Sequence, residues 1–199
     1  MKQKNRWIIG VDEAGRGPLA GPVAVGMVKV PVDFDWGLIS GVGDSKKLKP
    51  ENREAIFRRA RELRYHRELD FAVAMVGPSV IDEKGIMTAI SQAMRRSISR
   101  LKLKREDCEF KLDGSLYAPK QFTQETIIKG DDKEEVIGLA SIVAKVTRDR
   151  YMYQIARRYT QYDFAEHMGY GTKKHRTAIQ TYGKCPIHRV SYCKNIEMW

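Results

Sequence analysis

Asp12 and Glu13 stand side by side at the end of an apolar run, Ile8-Ile-Gly-Val11, and lead at once into Gly15-Arg16-Gly17. The acids call for a cation and the glycine-arginine turn invites an anion, so the stretch suits a site that holds metal with one half and phosphate with the other. Two further acids have similar settings, Asp113 before Gly114 and Asp131 after Gly130, each at the end of a strand-like segment. Carboxylates that meet at one end of a sheet repel one another unless cations neutralise them. Mg²⁺ takes oxygen ligands in octahedral geometry and usually keeps waters and substrate phosphate among them. Two such ions roughly 3.5–4 Å apart can activate a water on one side of a phosphorus and steady the leaving oxygen on the other. A single Asp-Gly is more simply a turn or a strand-end cap. For the four acids together, pattern alone leaves both readings open.

Charge narrows the partner. The 199 residues carry a net +11, with a pI near 9.6, and such an excess attracts polyanions. Residues 148–199 hold ten basic side chains against four acidic ones, whereas residues 100–147 balance at nine each. A basic chain with a neutral, acid-bearing centre suggests a nucleic-acid enzyme more than a plain binder; a solvated surface with no partner is the alternative. Arg157, Arg158, Lys173, Lys174 and Arg176 would make a basic face for a duplex, while the arginines of residues 53–67 read as a solvated helix face. Cys108, Cys185 and Cys193 cannot all pair, so reduced thiols in a cytoplasmic protein are expected. Cys185 and His188 have a metal-like spacing but no second pair beside them, and packing is the expected role of both. His66, His167 and His175 suggest no chemistry. No apolar run is long enough to span a bilayer, and the N-terminus has no signal-peptide pattern.

The elements that must position these residues alternate between strand and helix. Trp7–Asp12 and Val23–Val30 read as strands, separated by a segment that Pro18 and Pro22 keep irregular. A helix opens at Pro50 and runs to about Tyr65, and Leu69–Val76 is a strand. Ser79 would cap a short helix before the longer Ile86–Leu101. Cys108–Asp113 and Glu125–Lys129 are strands, the second ending at Gly130. Glu134–Tyr159 is the longest helical pattern, and Lys173–Tyr182 a shorter one. On the long helix, Ser141, Lys145, Arg148 and Asp149 share a face, with Asp149 expected to pair with a basic neighbour. The class is α/β, one domain over residues 1–199, with residues 150–199 a helical C-terminal extension of that domain.

Gly10-Val-Asp-Glu-Ala-Gly-Arg-Gly-Pro-Leu-Ala-Gly-Pro-Val23 resembles the N-terminal signature of ribonuclease HII, the type 2 ribonuclease H. Asp44-Ser-Lys-Lys-Leu48, Leu112-Asp-Gly114, Lys129-Gly-Asp131, Ala140-Ser-Ile-Val-Ala-Lys-Val-Thr-Arg-Asp149, His167-Met-Gly-Tyr-Gly-Thr-Lys173 and Pro186-Ile-His-Arg189 agree with it in order. The resemblance implies a ribonuclease H-like fold, a mixed sheet flanked by helices, and a metal-dependent endonuclease. It would cut RNA in RNA–DNA hybrids, and DNA on the 5′ side of a single embedded ribonucleotide, leaving 5′-phosphate and 3′-hydroxyl ends. It carries the catalytic, metal-binding set onto Asp12, Glu13, Asp113 and Asp131, with two Mg²⁺ or Mn²⁺ ions. Gly15, Arg16 and Gly17 would read the ribose 2′-OH, Tyr170 would stack on the sugar past the junction, and Ser45, Lys46, Ser141 and Lys145 would contact the nucleic acid. A monomer is expected. Two features depart from the family pattern: Gly85 replaces a usual asparagine, and Ile137-Gly138-Leu139 replaces small alanines, adding bulk near the substrate-facing turn. Two rivals compete, a non-catalytic nucleic-acid binder and a nuclease for DNA. The first predicts a lost acid, and the second gives no reason for Gly-Arg-Gly.

Overall fold

The computed structural model describes residues 7–43 and 45–194. Its centre is a five-stranded mixed sheet in the order β3-β2-β1-β4-β5. β1 (Trp7–Ala14), β2 (Val23–Pro31) and β3 (Asp70–Val76) run antiparallel in sequence. β4 (Cys108–Asp113) pairs parallel to β1, and β5 (Thr123–Ile127) parallel to β4. Strand alternation divides the side chains between two cores. Ile9 and Val11 of β1 join Val23, Val25 and Met27 of β2 in packing beneath α2 (Pro78–Lys84) and α3 (Ile86–Arg100). The opposite parity of β2, Val28 and Val30, faces α1 (Pro50–Tyr65) and α5 (Glu135–Arg158).

Helix α5 is apolar from Val136 to Ala144 apart from Ser141, and that stretch is wholly buried between the sheet and α1. Ile137, Leu139, Ile142 and Val143 are fully covered, each contributing roughly 1.5–3 kcal/mol of burial. The helix lies close because β2 has Gly26 beneath it: a Cβ there would fall 2.2 Å from the Ala140 carbonyl oxygen. The bulk of Ile137 and Leu139 therefore enters the core instead of crowding a substrate face.

Two element boundaries differ from expectation. Strand β5 spans Thr123–Ile127, since its ladder with β4 ends at the Asp113–Ile127 pair. Lys129 then takes a positive φ of 55°, and Gly130 opens a four-residue helix, α4 (Gly130–Lys133). Asp131 thus sits on a helical turn, not at a strand end. Ser79 is not a cap either; Gly77 takes that position, with Pro78 as the first helical residue.

After α5, the helical C-terminal region continues with α6 (Phe164–His167) and α7 (Lys173–Tyr182). Met152, Tyr162, Phe164, Ile179 and Ile187 gather there around Ala20 in a third apolar cluster. Among the described residues, no helix is long and apolar enough to cross a membrane.

Candidate active site

Register brings the acids together. β1 and β4 are in parallel register up to the Val11–Leu112 pair, which sets Asp12 beside Asp113 where β4 ends and β1 runs on against β2. The side chain of Asp113 then fixes the next element, because its Oδ1 accepts the Gly130 amide at 2.7 Å and so holds the first turn of α4 against β4. Asp131 follows directly, buried, with Lys46 Nζ 3.9 Å from its Oδ2. Asp12 is only 3% exposed. Burial pushes its carboxyl up to about 8, with the charges of Glu13 and Asp113 adding to the rise; the Ser141 hydroxyl and the Glu13 amide oppose it. Glu13 is also raised, by burial first and by Asp113, against the pull of Arg16, whose Nη1 lies 3.5 Å from Glu13 Oε1. Among the described residues no three His, Cys, Asp or Glu side chains stand close enough together to hold a metal ion. Asp12, Glu13 and Asp113 lie near enough for the charge of Asp113 to raise the other two, and Asp131 follows on α4; all four offer carboxylate oxygens, the donor type a hard divalent cation takes.

The loop from Gly15 to Pro22 arches beside these acids. Gly15 has φ +85°, and a Cβ on it would meet Arg148 Nε at 2.0 Å, so both conformation and space require glycine. Arg148 and Arg189 are fully buried beneath this loop. Arg148 donates to the carbonyls of Pro22 and Ala20, and Arg189 to those of Gly21, Arg16 and Gly15. Arg16 itself is exposed and reaches Ser115 Oγ at 3.2 Å. Tyr170 is 43% exposed, with Arg148 5.9 Å from its ring centre.

Ser45 and Ser141 are buried, and their hydroxyls bond each other at 2.7 Å. Both were expected to touch nucleic acid; instead Ser141 bonds Asp12 and Ser45 backs Ser141. Lys145 pairs with Asp149 at 2.8 Å, the basic partner expected of that acid. Arg148, expected on one helix face with Ser141, Lys145 and Asp149, is fully buried. Nor is the arginine-rich helix merely a solvated face: Arg53 bonds the Ser45 and Leu48 carbonyls and so braces the loop that carries Lys46. Arg58, Arg61 and Arg64 line a cleft of about 800 Å³ with Phe57, Tyr65 and Arg150, apart from the acids. Of the expected basic face, Lys174 is engaged by Asp163 and Glu166, while Arg157, Arg158 and Lys173 are exposed.

A model of the family described as Ribonuclease HII matches residues 9–195. The chain belongs to the ribonuclease HII family. Ribonuclease HII of Caldicellulosiruptor bescii is 46% identical over 196 residues, covering 98% of this chain and 91% of that protein. In three dimensions it is similar to ribonuclease H2 of Pyrococcus horikoshii, with a TM-score of 0.73 and 28% identity, covering 96% of this chain and 97% of the other. A ribonuclease HIII bound to Mn²⁺ shares the fold at 16% identity, with a TM-score of 0.62 over 92% of this chain and 64% of its own. As a ribonuclease HII, the protein is a metal-dependent endonuclease of the ribonuclease H class.

In this ribonuclease HII His188 is buried, as its expected packing role requires, and it joins His167 and His175 in a structural chemistry that the sequence did not show. His175 and His188 are buried, with their Nε2 atoms 3.1 Å apart. The remaining ring nitrogens fix the tautomers. Cys185 N–H donates to His188 Nδ1, His188 Nε2–H to His175 Nε2, and His175 Nδ1–H to the Tyr170 carbonyl. His167 stacks on His175 and accepts the Gly169 amide. Burial holds both His175 and His188 near 4, so the chain is neutral. Only the shared segments His167–Lys173 and Pro186–Arg189 hinted at it, and without the fold nothing joined them.

Proposed function

We infer that this ribonuclease HII cuts DNA on the 5′ side of an embedded ribonucleotide, as well as the RNA strand of RNA–DNA hybrids, leaving 5′-phosphate and 3′-hydroxyl ends. The observation that carries this reading is the parallel register setting Asp12 beside Asp113, next to a loop whose carbonyls are turned inward. Asp12, Glu13, Asp113 and Asp131 would hold two divalent ions, Mg²⁺ or Mn²⁺. When bound, these supply a nucleophile at neutral pH and stabilise the leaving oxygen, so no histidine base is needed. The neutral, buried histidines agree with that. Ser141, backed by Ser45, orients Asp12 from behind, and Lys46, beside Asp131 and open to solvent, would take a backbone phosphate. Gly15, Arg16 and Gly17 face the ribose, where the 2′-OH is what distinguishes RNA from DNA. Tyr170 offers its ring to the sugar beyond the junction, and Lys145, paired with Asp149, would contact the nucleic acid. The protein acts in the cytoplasm as a monomer, its C-terminal helices part of one domain with the sheet.

Cleavage of a labelled duplex carrying one ribonucleotide, with Mg²⁺, Mn²⁺ or chelator, tests this. A metal-dependent cut on the 5′ side is expected. Cutting of long hybrids alone would remove the junction reading, and salt-sensitive binding without cleavage would favour the non-catalytic binder.

A further inference from the structure

The geometry points to Arg189 as the positioning residue that makes the Gly15-Arg16-Gly17 loop a reader of the ribose, by fixing two successive peptide planes with their N–H groups outward. The inference rests on the proposed reading of that loop. Arg189 is fully buried, and its guanidinium fork takes the Gly15 carbonyl with Nη2 at 2.6 Å and the Arg16 carbonyl with Nη1 at 2.9 Å. Each carbonyl belongs to the peptide unit whose N–H is carried by the next residue, Arg16 or Gly17. The peptide is planar and trans throughout the described chain, so a carbonyl held inward points its N–H the opposite way. Neither amide has a hydrogen-bond acceptor among the described residues. Two adjacent amides, on the exposed residues Arg16 and Gly17, are therefore left as donors beside the acids.

The rest of the loop is held as firmly. Nε of Arg189 takes the Gly21 carbonyl, and Arg148 takes those of Ala20 and Pro22 while filling the space under Gly15. Gly169 accepts the amides of Leu19 and Ala20, so the segment carrying Tyr170 is tied to the same loop. Arg189 is anchored in turn. Its backbone N–H bonds the Leu19 carbonyl, and Asp82 of α2 accepts the amides of Val190 and Ser191. No carboxylate pairs with Arg148 or Arg189 among the described residues; their charge is met by carbonyl dipoles. Arg189 remains protonated at neutral pH, although burial lowers it to about 10. A lysine is a point charge on a flexible stem and cannot hold two carbonyls in a planar fork.

The test compares Arg189→Lys with the unaltered protein. Affinities are measured with chelator present, so that nothing is cut, for a duplex with one ribonucleotide and for the same duplex entirely in DNA. Thermal unfolding of both proteins is followed alongside. The expected result is a folded variant whose affinity for the all-DNA duplex is unchanged and whose preference for the ribonucleotide falls about tenfold, the scale of one hydrogen bond. A variant that unfolds earlier yet keeps the full preference would overturn the inference and make Arg189 only a staple. Should the unaltered protein show no preference, the loop's proposed reading fails instead. For the case of a variant that does not fold, a second measurement needs no substitution: backbone order parameters of Arg16 and Gly17 in the free protein. Rigid values, about 0.85, are required; values below about 0.6 would mean that the peptide planes are not fixed, and would sink the inference.

Discussion

Asp12 is a carboxyl group that folding alone would rather have neutral. It is buried and flanked by Glu13 and Asp113, and its proton affinity is raised to about 8. Burying a carboxylate costs unless a cation compensates. Asp12→Asn should therefore abolish cleavage while raising the stability of the metal-free protein by about 1–2 kcal/mol. Urea unfolding in chelator checks the second half, and a variant less stable than the parent would show that Asp12 is held by protein contacts alone. Tyr170 makes a different demand. Its backbone is set by His175 while its ring stays half open, so Tyr170→Ala should reduce cleavage at a single-ribonucleotide junction at least tenfold more than cleavage of long hybrids. Equal losses on the two substrates would end its reader role. At this scale the sequence picks out the acids as a set near glycines, but their pattern alone leaves turn and cap readings open, and Asp131 lies on a helical turn, not at a strand end. It does not pick out Arg148 and Arg189. An arginine in a sequence carries no sign of burial, and what these two donate to is a set of backbone carbonyls, which every residue possesses, with Arg148 Nη1 left without a partner among the described residues.

Strands and long helices were legible wherever hydrophobic spacing decided them, as in β1, α3 and α5. The short turn α4 was not, because its start depends on a positive φ at Lys129 and on the Asp113 side chain capturing the Gly130 amide. That bond joins residues 17 apart, beyond the reach of local pattern. The same limit hid the meaning of Gly26, which matters only because α5 crosses it. Helix α5 carries Ser141 behind Asp12, so its distance from the sheet controls the acid's surroundings. Gly26→Ala would place a methyl 2.2 Å from the Ala140 carbonyl, and the helix must move. The expected cost is about 1–3 kcal/mol, with activity at permissive temperature also reduced because Ser141 shifts with the helix. Unfolding and cleavage assays of the one variant check both. A stability loss without any loss of rate would separate helix placement from the site.

The whole molecule answers to pH and to salt through different groups. His175 and His188 are neutral in the fold, near 4, against an ordinary value of 6.5. The unfolded chain binds more protons between those values, so this stability is present above about pH 6.5 and is lost as pH falls toward 4. Each histidine contributes up to about 3 kcal/mol of that loss. His188→Gln should flatten the acid side of the stability profile, and an unchanged slope would remove His188 from the account. Salt probes the other charge, the net +11 of the chain, through exposed side chains such as Lys46, Arg157, Arg158 and Lys173. Roughly five phosphate contacts would lower affinity for a duplex with a log–log slope of about −4.5. Phosphates are identical in an all-DNA duplex and in one carrying a single ribonucleotide, whereas the peptide amides proposed to read the 2′-OH are uncharged donors to a neutral group. Both affinities should therefore fall along parallel lines between about 50 and 200 mM salt, with their ratio constant. Arg157→Glu with Arg158→Glu should make both lines shallower and leave the ratio untouched. If the ratio itself shrank as salt rose, the ribose would be sensed through charge, by Arg16 or Lys46, and the backbone amides would have no part in it.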